Sequence, residues 1–338
     1  MTDSSRPVRF ALWLVLLAAA GMFALTMGTR QTMGLFLGSL NTATGLGIGS
    51  ISLAFAFGQL WWGLTQPFAG AVADRIGTGR VLLLGCALVA LGTFITPYMT
   101  TTVGLIVLLA LPAALVLKGN SAQAAAPGGQ KNLTVRKALR EALQLPSFWL
   151  LAGGFFVCGF HVAFLATHLP GVVASCGLSP QVAAWALALL GLFNIVGSVG
   201  IGWAVGRWRM KSLLSLLSLI YALRGLAVLL FVLAPKTEFV MLAFAAVMGV
   251  TFLSTVPPTA GLVAKFFGPA NMAMLFGVVM LTHQVGGFLG AWLGGKVFEA
   301  NGNYNWIWYI DIVLAVGAAL IHLPIREAKL PARKAANA

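Results

Sequence analysis

The sequence predicts an all-α membrane protein: a bundle of about ten transmembrane helices, four followed by six, with both termini cytoplasmic. Three observations predict it. Of 338 residues, 59% are hydrophobic and only 8% charged, against about 25% charged in a soluble domain. The apolar residues come in runs of about 20, the length a helix needs to cross the hydrocarbon. Lys and Arg collect on one side of those runs, which fixes their orientation.

The runs lie at roughly 10–36, 49–70, 80–98, 101–117, 148–170, 182–205, 212–233, 238–262, 271–295 and 304–324. They are continuous, where a membrane β-barrel shows alternation over about 10 residues. Arg6 and Arg9 ahead of the first run also fit a secretory leader. That reading is disfavoured because no convincing small-residue cleavage site follows and many further spans do. The 40 glycines suit helices that approach closely in lipid.

Between spans, one side collects Arg6, Arg9, Arg75, Arg80, Lys118, Lys131, Arg136, Lys137, Arg140, Arg207, Arg209, Lys211, Lys265 and the basic tail. The other side collects Lys236 and Lys296. This places both termini in the cytoplasm and the chain in a bacterial-type inner membrane. It also explains the net charge of +14 without nucleic acid, since the basic residues form no single patch. Cys86, Cys158 and Cys176 share no metal or redox spacing, so no metal or cofactor is expected.

The organisation reads as an N-terminal helical half (1–118), a linker (119–147), a six-helix half (148–325) and a basic cytoplasmic tail (326–338). The linker opens GNSAQAAAPGGQ, a flexible composition. It continues TVRKALREAL, with Thr134 placed to cap a helix and an apolar stripe at Val135, Leu139 and Ala142 or Leu143. Two readings fit equally: a basic helix on the cytoplasmic membrane surface, or a solvated linker helix.

After the second span stands Gly70-Ala-Val-Ala-Asp74-Arg75-Ile-Gly77-Thr-Gly79-Arg80. Gly70 permits close helix approach, Gly77 and Gly79 suit a tight cytoplasmic turn, and Asp74 can accept from a basic residue or a helix N-terminus. The stretch resembles the signature loop of the major facilitator superfamily, G-x-x-x-D-R-x-G followed by basic residues. In that family the loop latches the two halves in one state of the transport cycle, so Gly70, Asp74, Arg75, Gly77 and Arg80 are the expected latch. An echo, Gly202-Trp-Ala-Val-Gly206-Arg207-Trp-Arg209-Met-Lys211, follows the second span of the later half, with Gly206 in the acidic position. Family members usually have two six-helix halves. The first half here has four spans, as if two were missing between the start and the end of its last one.

Ionisable groups in the hydrocarbon are costly and by default functional. Arg224 lies mid-span, and Asp311 is the only acid well inside a span. An anion site at Arg224 is one reading; a structural ion pair of Arg224 with Asp311 is preferred, because each charge would otherwise be buried alone. His161 and His283 lie at matched depth, on helices that line the pathway in the family. His168 follows His161 by one heptad. These histidines are weighed evenly between core packing and contact with a carboxylate and a proton. Arg30 and Gln31 either reach the outer headgroups or, if the first helix is long, face the cavity. Asn194, Gln284 and Gln66 are weaker candidates, read first as interhelical hydrogen bonds. Gly286, Gly290 and Gly294 make small-xxx-small pairs, with Gly287 and Gly295 beside them. Pro257-Pro258 marks a kink or an end.

No P-loop, catalytic triad or metal cluster stands out, so ATP use and enzyme chemistry are not expected. The expectation is a monomeric secondary transporter moving a small organic solute by alternating access, together with a proton or against a counter-anion. An organic anion is favoured because cationic candidates outnumber intramembrane acids. The pattern is similar to the oxalate/formate and monocarboxylate branch. The alternative is a non-transporting member with a shortened first half, acting as a scaffold or sensor or inactive; a membrane enzyme ranks third.

Overall fold

The computed structural model describes residues 31–76, 78–95, 135–207, 210–267 and 272–325, with residues 21, 28, 98 and 101–104. Every regular element among them is helical. After a 3-10 turn at Thr32–Phe36 come α1 (Leu37–Thr44), α2 (Ile48–Ile76), α3 (Thr78–Ile95), α4 (Val135–Leu143), α5 (Pro146–Ser175) and α6 (Pro180–Arg207). Then follow α7 (Met210–Leu233), α8 (Glu238–Thr251), α9 (Val256–Phe267), α10 (Met272–Asn301) and α11 (Asn305–Ile321). Five described stretches are long and apolar enough to cross a membrane: Pro146–Ser175, Pro180–Arg207, Leu214–Leu233, Glu238–Phe267 and Met274–Asn301. The chain is a multi-pass membrane protein. Residues 105–117 of the span expected at 101–117, most of that at 10–36, residues 119–134 of the linker and the tail 326–338 lie outside the described residues.

Local chemistry sets the boundaries. Pro146 opens α5, where its missing N–H costs nothing. Gly177, at φ 73°, turns the chain out of α5, and Gly45, at φ 66°, does the same after α1. Thr237 caps α8 by accepting from the Val240 N–H at 3.3 Å. The Lys236 ammonium closes the preceding end of α7, donating to the carbonyls of Val232 and Ala234 at 3.0 and 2.9 Å.

The expected punctuation at Pro257-Pro258 is a break. The helix stops at Thr251, passes through irregular residues 252–255 and restarts as α9 with both prolines in its first turn. Neither proline has an N–H to return to the carbonyls of Leu253 and Ser254. Of the glycines expected to turn, Gly77 lies outside the described residues. The helix α2 runs through Asp74 and Arg75 to Ile76, and Gly79 already belongs to α3.

The helix α10 lies between α5 and α2, α8 packs along α6, and α11 packs along α7. Bare glycine backbone makes the α5–α10 approach possible. A Cβ on Gly286 would strike the Phe156 carbonyl, one on Gly290 the Phe160 carbonyl, and one on Gly159 the His283 carbonyl. The opposite side of α10 meets α2 in antiparallel register: Gly295 faces Ser52, Gly287 lies between Ala163 of α5 and Gln59 of α2, and Phe288 meets Phe57 edge-on with ring centroids 5.3 Å apart. The small residues predicted on α10 therefore form two seams, one within the later half and one between the halves. The helix α4 rests on the start of α5, with Ala142 fully buried and Leu143 exposed; the Trp149 indole donates to the Leu143 carbonyl at 2.8 Å.

Candidate functional site

Apolar helices carry few polar side chains, so the destination of each polar atom decides what the interior can do. Arg224, midway along α7, is fully buried. Its guanidinium donates to the carbonyls of Thr251 and, at 3.0 Å, Phe252, where α8 has run out of helical N–H partners. It lies 5.5 Å from the centre of the Tyr221 ring, and Tyr221 donates to the Gly154 carbonyl at 2.5 Å. The α8 carbonyls carry the negative end of a helix dipole, so they offset the guanidinium charge.

The expected direct ion pair between Arg224 and Asp311 is not formed; His161 stands between them. Arg224 NH1 lies 3.4 Å from His161 Nδ1, and His161 Nε2 lies 3.1 Å from the Asp311 backbone carbonyl and 3.3 Å from Asp311 Oδ1. A carbonyl only accepts and a guanidinium only donates, so this arrangement fits a neutral His161 protonated at Nε2. Asp311 is 1% exposed, and neither carboxyl oxygen has a hydrogen-bond partner. The cluster is built from α5, α7, α8 and α11, all in the later half. His161 thus points into the core of that half.

His168 donates from Nε2 to the Ala291 carbonyl of α10 at 2.7 Å and packs against Phe164 and Tyr304. It is an interhelical tie. Asn194 accepts from the Leu253 N–H at 3.1 Å through Oδ1, satisfying backbone freed at the α8–α9 break. Cys158 joins the same break, with Sγ 3.1 Å from Thr255 Oγ1.

Besides Asp311, the Arg224 Nε and the second ring nitrogen of His168, buried polar atoms without a hydrogen-bond partner remain on His283 and Gln284. His283 on α10 is buried against Phe155, with Nδ1 unpartnered. Gln284 is fully buried, and both its Nε2 and its Oε1 lack partners. Gln284 reaches across to α2 at Gly63, where any Cβ would overlap its side chain. His283 and Gln284 thus turn to the two sides of α10, toward α5 and toward α2. Gln59, buried on α2 opposite Gly287, is a seam residue the sequence reading passed over. Its signal was available, since it precedes the noted Gln66 by seven residues inside an apolar run.

Gln31 is half-buried at the start of the 3-10 turn, where Gly34 abuts the carbonyls of Ala166 and Thr167 on α5. Helical backbone runs on from it to Thr44. Arg30 and Gly77 lie outside the described residues, as do the side chains of Gln66, Gly70, Asp74 and Arg75; Arg80 is exposed. In the echo, Gly202 and Gly206 face open space, and Arg207 lies 5.5 Å from the centre of the Trp203 ring.

The Major Facilitator Superfamily family model matches residues 151–338. An uncharacterized MFS-type transporter of Bacillus subtilis (strain 168), YcxA, is 26% identical across 52% of this chain and 43% of its own length. Monocarboxylate transporter 13 of Rattus norvegicus is 30% identical across 52% of this chain and 39% of its own length. The uncharacterized MFS-type transporter YhjX of Escherichia coli (strain K12) is 22% identical across 81% of this chain and 85% of its own. The chain thus spans about two fifths of the length of the first two relatives it matches.

Proposed function

Because the chain belongs to the Major Facilitator Superfamily, we propose that it is a secondary active transporter moving a small organic anion, a monocarboxylate in the simplest case, by alternating access. The observation that carries this reading is Gln284: a fully buried amide with both ends unpartnered, on the seam where α10 meets α2. An amide left so costs several kcal/mol by order of magnitude unless something visits it. A solute passing between the halves would supply the partner.

Gln284 is the binding residue at the seam in this reading, while His283 turns to the other side of α10. The Gln284 amide donates to a carboxylate without the cost of a permanent buried charge. The shortage of intramembrane acids suits an anion, since Asp311 is held inside the later half away from the seam. The name of one relative, monocarboxylate transporter 13, supports the same substrate class. A proton or a counter-anion provides the driving gradient. The non-transporting alternative draws on the four-span first half of the sequence.

The test is uptake of a labelled carboxylate panel into proteoliposomes holding the purified chain, with and without an imposed pH gradient. Saturable, gradient-dependent uptake is expected. No uptake of any carboxylate by folded, monodisperse protein would favour the non-transporting reading.

A further inference from the structure

The linker helix α4 uses one side to sit on α5 and leaves another uncovered. Leu139 packs against the core and Ala142 is fully buried, so the stripe they share faces the start of α5. At 3.6 residues per turn, Arg136, Arg140 and Leu143 (i, i+4, i+7) follow one another along a second strip. Arg140 is exposed, and Leu143, at the end of that strip, is 39% exposed. The Leu143 carbonyl accepts from the Trp149 indole at 2.8 Å, and Trp149, the fourth residue of α5, is itself 53% exposed. Two arginines, an exposed leucine and an exposed tryptophan therefore run in order from the polar linker into an apolar span. The tryptophan marks the depth, because an apolar ring with one polar N–H favours the boundary between headgroups and hydrocarbon. Lys137 and Glu141, also one turn apart, fall on a separate strip.

We propose that the Arg136–Arg140–Leu143–Trp149 strip is a binding site for an anionic phospholipid. The two arginines hold the headgroup phosphate, and Leu143 and Trp149 lie along the top of the acyl chains. Charge complementarity selects this occupant: α4 carries Arg136, Lys137 and Arg140 against the single acid Glu141. A zwitterionic lipid brings its own cation to the phosphate, whereas an anionic lipid leaves that charge to the arginines. Of the two readings of the linker helix, the membrane-surface one follows, since a helix standing in water gains nothing from a leucine and a tryptophan exposed side by side. The site fastens the linker to the bilayer beside α5. It does not depend on the transport reading.

Fluorescence quenching on the full chain in bilayers tests it. With Cys86, Cys158 and Cys176 replaced, Gln144→Cys carries a bimane next to the strip. Vesicles of phosphatidylcholine are doped either with phosphatidylglycerol or with phosphatidylcholine brominated near the top of the chain. The brominated phosphatidylglycerol should quench at a mole fraction lower by about tenfold or more, and each of Arg136→Gln and Arg140→Gln should cost about fivefold of that preference. Arg136→Lys with Arg140→Lys should keep most of it. Equal quenching by the two lipids overturns the anionic ligand. A loss from Lys137→Gln as large as that from Arg140→Gln means diffuse attraction and overturns the site. No quenching by either lipid places α4 in water and overturns the proposal altogether.

Discussion

Removing the Arg224 guanidinium would leave the carbonyls of Thr251 and Phe252 without donors, at a point where α8 has already lost its helical bonding. Arg224→Leu should therefore destabilise the folded protein by about 3–5 kcal/mol, the range for breaking a buried charged network. Tryptophan-fluorescence thermal unfolding in detergent checks this; an unchanged midpoint would assign Arg224 to solute contact instead. At the seam, Gln284→Leu removes a hydrogen-bonding group while keeping bulk. Uptake efficiency should fall by a factor corresponding to about 1.5–3 kcal/mol, the worth of a hydrogen bond to a charged group, with membrane insertion intact. Full uptake by Gln284→Leu would take the residue out of the pathway. The sequence put His161, His168 and His283 ahead of Asn194 and Gln284, which it read first as interhelical hydrogen bonds. It could not tell ties from binding groups, because that depends on which polar atoms already have a partner across the helix boundary.

At the scale of the helix, glycines of one composition divide into those that matter and those that do not. Gly290 on α10 faces the Phe160 carbonyl so closely that a methyl group forces the helices apart, whereas Gly277 on the same helix faces open space. Gly290→Ala should lower the unfolding midpoint and the yield of monodisperse protein, and Gly277→Ala should leave both unchanged. Equal behaviour of the two would remove the close-approach account of the α5–α10 seam. The break between α8 and α9 follows the same logic: the prolines announce it, and Arg224, Asn194 and Cys158 from three other helices fill its bonding. Those fillers were visible as polar residues in apolar runs. Their common destination was not, because each lies dozens of residues from the break.

Across the whole molecule, α2 is the described element of the first half that lies lengthwise against α10. A Cβ on Gly287 would stand 3.8 Å from the Gln59 Cβ, which matches the mean separation of about 3.8 Å across a disulfide. With Cys86, Cys158 and Cys176 replaced, the pair Gln59→Cys and Gly287→Cys should cross-link on oxidation and stop uptake, and reductant should restore it. Continued uptake by the cross-linked protein would mean that this seam stays shut during transport.

What the sequence determined by itself is the solvent, the helical class and the family. Continuous apolar runs, one-sided basic loops and the Gly70–Arg80 stretch are local signals, and a hydrocarbon environment leaves helices as the reading of such runs. The register of one helix against another was decided only in the tertiary structure. It put His161 between Arg224 and Asp311, tied His168 and Asn194 to backbone, and left Gln284 unpartnered at the α2–α10 seam. The physical reason is that each helix can present a given residue to any of several neighbours. The choice is made by glycine-backed packing between helices far apart in the chain, which no local pattern records.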